Sequence, residues 1–110
     1  MNRDDVLMAQ ANAMTEKQLQ ANVMDALHKF GWITYHTYDS RKSTAGFPDI
    51  IAIRRERGMA IELKRQNHKT SSKRMTEQLA WLAAFDLAGF ESAMWKPLHW
   101  FSGEIQGTLR

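Results

Sequence analysis

Asp49, Glu62 and Lys64 are the residues of this 110-residue chain whose types and spacing can do chemistry. They lie in two short runs rich in aliphatic and β-branched residues, Asp49-Ile50-Ile51-Ala52-Ile53 and Met59-Ala60-Ile61-Glu62-Leu63-Lys64, which read as strands. The charged stretch Arg54 to Gly58 between them reads as a hairpin turn, for which two-residue loops are commonest. A loop at Glu56-Arg57 sets Asp49 opposite Lys64 and Ile51 opposite Glu62. A loop at Arg57-Gly58 sets Glu62 opposite Ile53 and Lys64 opposite Ile51. In both registers the three ionisable side chains leave the same face, because strand side chains alternate with period two. The other face carries Ile50, Ala52, Ile61 and Leu63, an ordinary core, so the charged face is expected to be the one the fold keeps open. A cross-strand ion pair between Asp49 and Lys64, worth about 0.2–1 kcal/mol, explains neither Glu62 nor the Gly46 and Pro48 that lead into Asp49.

Two carboxylates about one strand spacing apart suit a hard cation such as Mg²⁺, which takes oxygen ligands and keeps several waters. A cation so held activates a water and neutralises charge on a phosphate. Lys64 adds a positive charge beside it, to bind a non-bridging oxygen or position the attacking water. The chemistry implied is phosphodiester hydrolysis. From Lys64 to Arg74 the cations are Lys64, Arg65, Lys69, Lys73 and Arg74, with no Asp or Glu among them. Such a loop either holds a nucleic-acid backbone or is simply solvated.

The elements that must position these groups are legible. Thr15 with Gln18 fits a capping box. Leu19, Val23, Ala26, Leu27 and Phe30 follow at helical spacing, with Gly31 at the stop position. Glu16 falls on the apolar side of that helix, either as a complement to the helix dipole or as a carboxylate aimed into a site beneath it. Residues 32–38 read as a first strand and residues 39–46 as a polar loop. A second helix is predicted over residues 76–88, with Leu79, Trp81, Leu82, Phe85 and Leu87 apolar and Gln78 on the face of Trp81, Leu82 and Phe85. A fourth strand over residues 90–95 and a short helical tail complete an α-β-β-β-α-β order, an α/β sheet flanked by helices. Residues 1–14 are an N-terminal arm or a helical extension, and residues 15–110 one domain.

Composition narrows the rest. The length fits a single domain. The absence of cysteine excludes disulfides and thiolate zinc sites. No apolar run approaches the roughly 18 residues of a membrane span, and the N-terminus has no signal-peptide pattern, so a cytoplasmic protein with no membrane partner is expected. The net charge of +3 permits a polyanion partner without requiring one. His28, His36, His68 and His99 have no metal-ligand spacing, the tryptophans read as core, and Arg54, Arg55 and Arg57 as a solvated hairpin tip.

Gly46-Phe47-Pro48-Asp49, followed after a 12-residue gap by Glu62-Leu63-Lys64, resembles the PD-(D/E)XK nuclease motif. The opening helix with its acid, Glu16, the glutamine early in the helix after the lysine, Gln78, and the late Trp95-Lys96-Pro97 with Trp100 and Gly103 extend the resemblance over about residues 15–105. The chain is similar to the virus-type replication–repair nuclease domain, VRR-NUC, of phage and bacterial stand-alone type. That resemblance implies a restriction-endonuclease-like three-layer α/β fold with a mixed central sheet. It implies Asp49, Glu62 and the Leu63 carbonyl as ligands of Mg²⁺ or Mn²⁺, with Glu16 a less regular one. It implies Lys64 as catalytic cation, Gln78 as supporting residue, and Ser43 near the phosphate. It implies a structure-selective endonuclease acting on branched DNA such as four-way (Holliday) junctions, and by analogy a homodimer. A flap or restriction-like nuclease and a non-cleaving nucleic-acid-binding module are the alternatives.

Overall fold

The structure, a computed structural model, describes residues 1–37, 44–69 and 72–110. Its elements are α1 (Arg3–Ala13), α2 (Glu16–Lys29), β1 (Ile33–His36), β2 (Ile50–Arg54), β3 (Arg57–Leu63), α3 (Lys73–Leu87), β4 (Glu91–Trp95), α4 (Pro97–Phe101) and α5 (Glu104–Leu109). The sheet order is β1-β2-β3-β4, antiparallel across the first three strands and parallel between β3 and β4. The mixed sheet is flanked by helices, as expected. The parallel pair follows from chemistry: β4 re-enters the sheet only after a crossover through α3, whereas β2 and β3 need only a tight turn.

Thr15 caps α2 as its sequence dictates. Its hydroxyl accepts the Gln18 N–H at 3.0 Å, and the Gln18 side chain accepts the Thr15 N–H at 2.9 Å. The buried stripe Leu19, Val23, Ala26 and Leu27 packs on one sheet face against Ile50, Ala52, Met59, Ile61 and Leu63, with Trp32, Trp95, Ile105 and Leu109 closing the core. Helix α3 covers the opposite face. It is seated by edge-to-face rings, Phe85 on Phe90 with centroids 5.0 Å apart and Phe47 on Trp81 at 5.1 Å. Gly58 leaves space there for the Phe90 ring, which a β-carbon would meet at 2.9 Å.

Several expectations need correction. The turn is Arg55-Glu56, one residue before the nearer predicted loop, and Arg55 takes φ 55° there. The pairing therefore sets Ile50 against Ile61 and Ile51 against Ala60, and the same ladder extended sets Asp49 against Glu62. The parity is unchanged, so the three charged side chains still share a face. That face is not open, because α3 lies over it. Arg55 is exposed as expected, but Arg54 and Arg57 are half-buried: both stack on the Trp32 ring, 4.8 and 4.9 Å from its centroid, and donate to the Phe30, Thr108, Leu109 and Arg110 carbonyls. Helix α3 starts at Lys73 rather than Thr76, because the Ser72 hydroxyl caps it by accepting the Met75 N–H. Its Leu79 and Leu87 point outward. Strand β1 spans four residues, preceded by Trp32 buried in the core, and residues 3–13 are helical.

Candidate active site

The hairpin ladder ends at the pair Ile50–Ile61, and the chain beyond each end supplies the site. Pro48, fully buried, delivers Asp49 to the end of β2. There the Asp49 Oδ2 accepts the Leu63 backbone N–H at 2.8 Å, and the Asp49 carbonyl accepts the Thr37 N–H at 2.9 Å. Both bonds continue the sheet past its last regular pair, one of them through a side chain in place of backbone. Glu62 is then a direct neighbour of Asp49. The glycine before them is dictated by close approach. Gly46 has φ 81°, and a β-carbon on it would meet the Glu77 backbone carbon at 2.6 Å. The loop can thus lie flat on the first turns of α3, with Trp81 Nε1 donating to the Ala45 carbonyl at 3.2 Å.

Burial governs the electrostatics. Glu62 is 2%, Gln78 3% and Lys64 5% exposed, the three buried polar side chains among the described residues. Gln78 Nε2 donates to Glu62 Oε1 at 3.3 Å, whereas Glu62 Oε2 and Gln78 Oε1 are buried with no hydrogen-bond partner. Burial raises the Glu62 carboxyl to about 9, helped by the adjacent Asp49 carboxylate and opposed by Lys64. Glu16, at the start of α2, is an exposed residue whose carboxyl end is partly shielded from water, and its carboxyl is also raised, first by that loss of solvation and then by Asp49. That dependence places Glu16 at the rim of the same charge cluster, alongside Lys64, Arg65 and Arg74.

A cleft of about 380 Å³ opens over Asp49 and Glu62. Gly46 and Phe47 form one wall, Lys73, Arg74, Glu77 and Gln78 the other, with Thr37 at its margin. The sequence-predicted residues Asp49, Glu62, Lys64 and Gln78 are thus brought together. Lys73 and Arg74 line the cleft, while Arg65 and Lys69 stand exposed in the loop that follows Lys64. Ser43 lies outside the described residues. Thr37 and Glu77 were not anticipated. Thr37 continues β1 by one residue and Glu77 precedes Gln78, but neither lies on an apolar stripe that would have drawn attention to it.

The donor set suits a hard cation. Two carboxylates side by side, one with a buried oxygen lacking a partner, match an ion that takes a few protein oxygens and retains waters. No group of three or more His, Cys, Asp and Glu side chains poised to hold a metal occurs among the described residues. The set is therefore two carboxylates with a third at the rim.

A family model described as the VRR-NUC domain matches residues 3–96. A solved structure titled "VRR_NUC domain" is similar in fold, with a TM-score of 0.61 at 15% identity over 84% of this chain and 97% of that one. No curated protein matches the chain.

Proposed function

Because the chain belongs to the VRR-NUC domain family and is of nuclease type, we propose that it is a metal-dependent, structure-selective DNA endonuclease hydrolysing phosphodiester bonds. The observation that carries this reading is the Glu62 carboxylate, buried against Asp49 with Oε2 unpartnered and its proton affinity raised. A buried carboxylate held this way is costly unless a cation or a proton compensates it. Asp49, Glu62 and the Leu63 carbonyl would hold Mg²⁺ or Mn²⁺, with Glu16 as an outer acid. Such an ion, when bound, supplies Lewis acidity toward the phosphate and lowers the pKa of a bound water.

The chain's own residues do the remainder. Lys64 places an ammonium where charge builds on a non-bridging oxygen as the water oxygen joins phosphorus and one P–O ester bond breaks. Gln78 steadies Glu62 through Oε1. Arg65, Lys69, Lys73 and Arg74 neutralise flanking phosphates, two of them from the cleft wall and two from the loop.

Branched DNA is the proposed substrate, four-way junctions included. Cutting two strands of a junction symmetrically takes two sites, hence a homodimer. A surface suited to that stands on β1 and β2, on the part of the α3-side sheet face that lies beyond α3: Ile33 is 77% and Tyr35 64% exposed, with Ile53 paired beside Ile33. Exposed apolar groups so concentrated mark an interaction surface.

The test is direct. Labelled duplex, flap and four-way junction DNA are incubated with the protein in Mg²⁺, Mn²⁺ or EDTA, alongside Asp49→Asn and Lys64→Met. Junction cleavage that needs the ion and both side chains supports the reading. Cleavage that persists in EDTA overturns the metal, and binding without cleavage in either metal overturns the enzyme.

A further inference from the structure

We propose that Lys96 seats a DNA backbone phosphate adjacent to the one being cut, completing with Lys64 a two-lysine phosphate seat at the end of the parallel strands. The inference rests on the nuclease reading above and adds to it a residue from the strand next to β3. Leu63 pairs with Trp95 in the β3–β4 ladder, and the Lys64 N–H donates to the Trp95 carbonyl at 2.9 Å, so the pairing runs one step past both strands. Lys64 and Lys96 are thus neighbours across two parallel strand ends. Leu63 and Trp95 both point into the core, and alternation turns the next residue of each strand to the opposite face.

The backbone around Lys96 is fixed. Its N–H donates to His99 Nδ1 at 2.8 Å, Pro97 follows it buried, and the Leu98 N–H donates to Gln66 Oε1 at 2.9 Å. Gln66 belongs to the loop that carries Arg65, so β3's exit and the β4–α4 junction are tied together. Among the described residues Lys96 has no ion-pair partner. His68 lies in the same field of charge: its imidazole is held below the usual range, first by burial and then by Lys64, Arg65, Lys96 and Arg74. Adjacent strands lie about 4.8 Å apart, and like charges on neighbouring strand positions are destabilising. Two lysines whose backbones are held side by side at the strand ends favour an anion, and a DNA backbone running past the strand ends would present a phosphate to both.

The test measures binding of fluorescent duplex and four-way junction DNA in EDTA, across a series of salt concentrations, for wild type, Lys96→Gln and Lys96→Arg. Loss of one phosphate contact lowers the slope of log affinity against log salt by about 0.9, with Kd weakened roughly tenfold, as for one contact of about 1.4 kcal/mol. Lys96→Arg keeps the charge and is expected to keep the slope. Should Lys96→Gln melt below wild type, Lys96→Met, which keeps the alkyl stem, is read by the same criterion. Wild-type affinity and slope in the charge-removing variant overturn the proposal, whether or not wild type cuts DNA. A wild type that binds here but does not cut when Mg²⁺ or Mn²⁺ is supplied, with the slope lost in Lys96→Gln, supports the seat and overturns the nuclease reading alone. A wild type that binds no DNA overturns both.

Discussion

The Asp49 carboxylate stands in for a backbone carbonyl: its Oδ2 accepts the Leu63 N–H at 2.8 Å where the β2–β3 ladder would otherwise have stopped. One side chain therefore serves both sheet and site. Asp49→Asn retains an acceptor and should melt near wild type while losing cleavage. Asp49→Ala orphans the Leu63 N–H and should lose about 1–3 kcal/mol of stability as well. Thermal melts by circular dichroism beside a cleavage assay separate the two; equal melting of both variants would remove the structural half of this role.

Glu62 predicts an inverse relation between stability and pH in the metal-free protein. Its carboxyl titrates near 9 when folded against 4.5 ordinarily. Between those values the unfolded chain is ionised and the folded one protonated, so folding takes up a proton. The contribution is fully present below about 4.5 and is lost as pH rises toward 9. Glu62→Gln, neutral at every pH, should melt higher than wild type at pH 8 in EDTA by several degrees, at about 4–8 °C per kcal/mol for a domain this size. The same variant should gain nothing from Mg²⁺, whereas wild type should bind the ion with proton release, measurable by calorimetry in buffers of differing ionisation enthalpy. Identical melting curves for the two proteins at pH 8 would sink the idea.

Gly46→Ala should damage the site from outside it. The substitution strains a positive φ and drives a β-carbon to 2.6 Å from the Glu77 backbone, so the loop must lift from α3 and carry Pro48 and Asp49 with it. A loss of about 1–3 kcal/mol is expected, together with a fall in cleavage rate. Wild-type melting and rate would show that the loop does not rest on α3 in solution.

Gln78→Leu removes the donor to Glu62 Oε1 and leaves the carboxyl in a drier pocket. The Glu62 proton affinity should rise further, moving the acid limb of the cleavage pH profile upward with no change in DNA affinity. A unit shift corresponds to about 1.4 kcal/mol. An unshifted profile with a uniformly lower rate would assign Gln78 to packing alone.

Ile33→Glu tests the exposed β1–β2 face. Sedimentation should show a dimer for wild type and a monomer for the variant, with four-way junction cleavage falling out of phase on the two strands. A monomeric wild type that resolves junctions would dissociate symmetry from activity.

Much of this was legible in residue order because it depends on short-range rules. The capping of α2 by Thr15, the apolar stripe beneath it and the shared face of Asp49, Glu62 and Lys64 follow from periods of 3.6 and 2. The exact turn did not follow, since Arg55-Glu56 is selected by the Arg54 and Arg57 stacks on Trp32, a contact with a distant residue. The covering of the charged face by α3 was missed for the same reason: it depends on the side of the sheet that the β3–β4 crossover takes, where the Phe47, Phe85 and Phe90 rings seat the helix. Gln78 betrayed the buried site by being polar on an apolar stripe. Lys96 gave no such sign, because only the parallel register of β4 brings it beside Lys64.

That parallel register also sets an order of assembly. The β2–β3 hairpin joins residues close in sequence and can form within about 1–10 μs, bringing Asp49 and Glu62 together early. The Lys64 backbone, by contrast, is anchored by the Trp95 carbonyl, some thirty residues downstream. While the ribosome is still adding β4, the nascent chain owns both carboxylates but no mooring for the lysine. The position of the Lys64 backbone therefore depends on the crossover through α3 having closed.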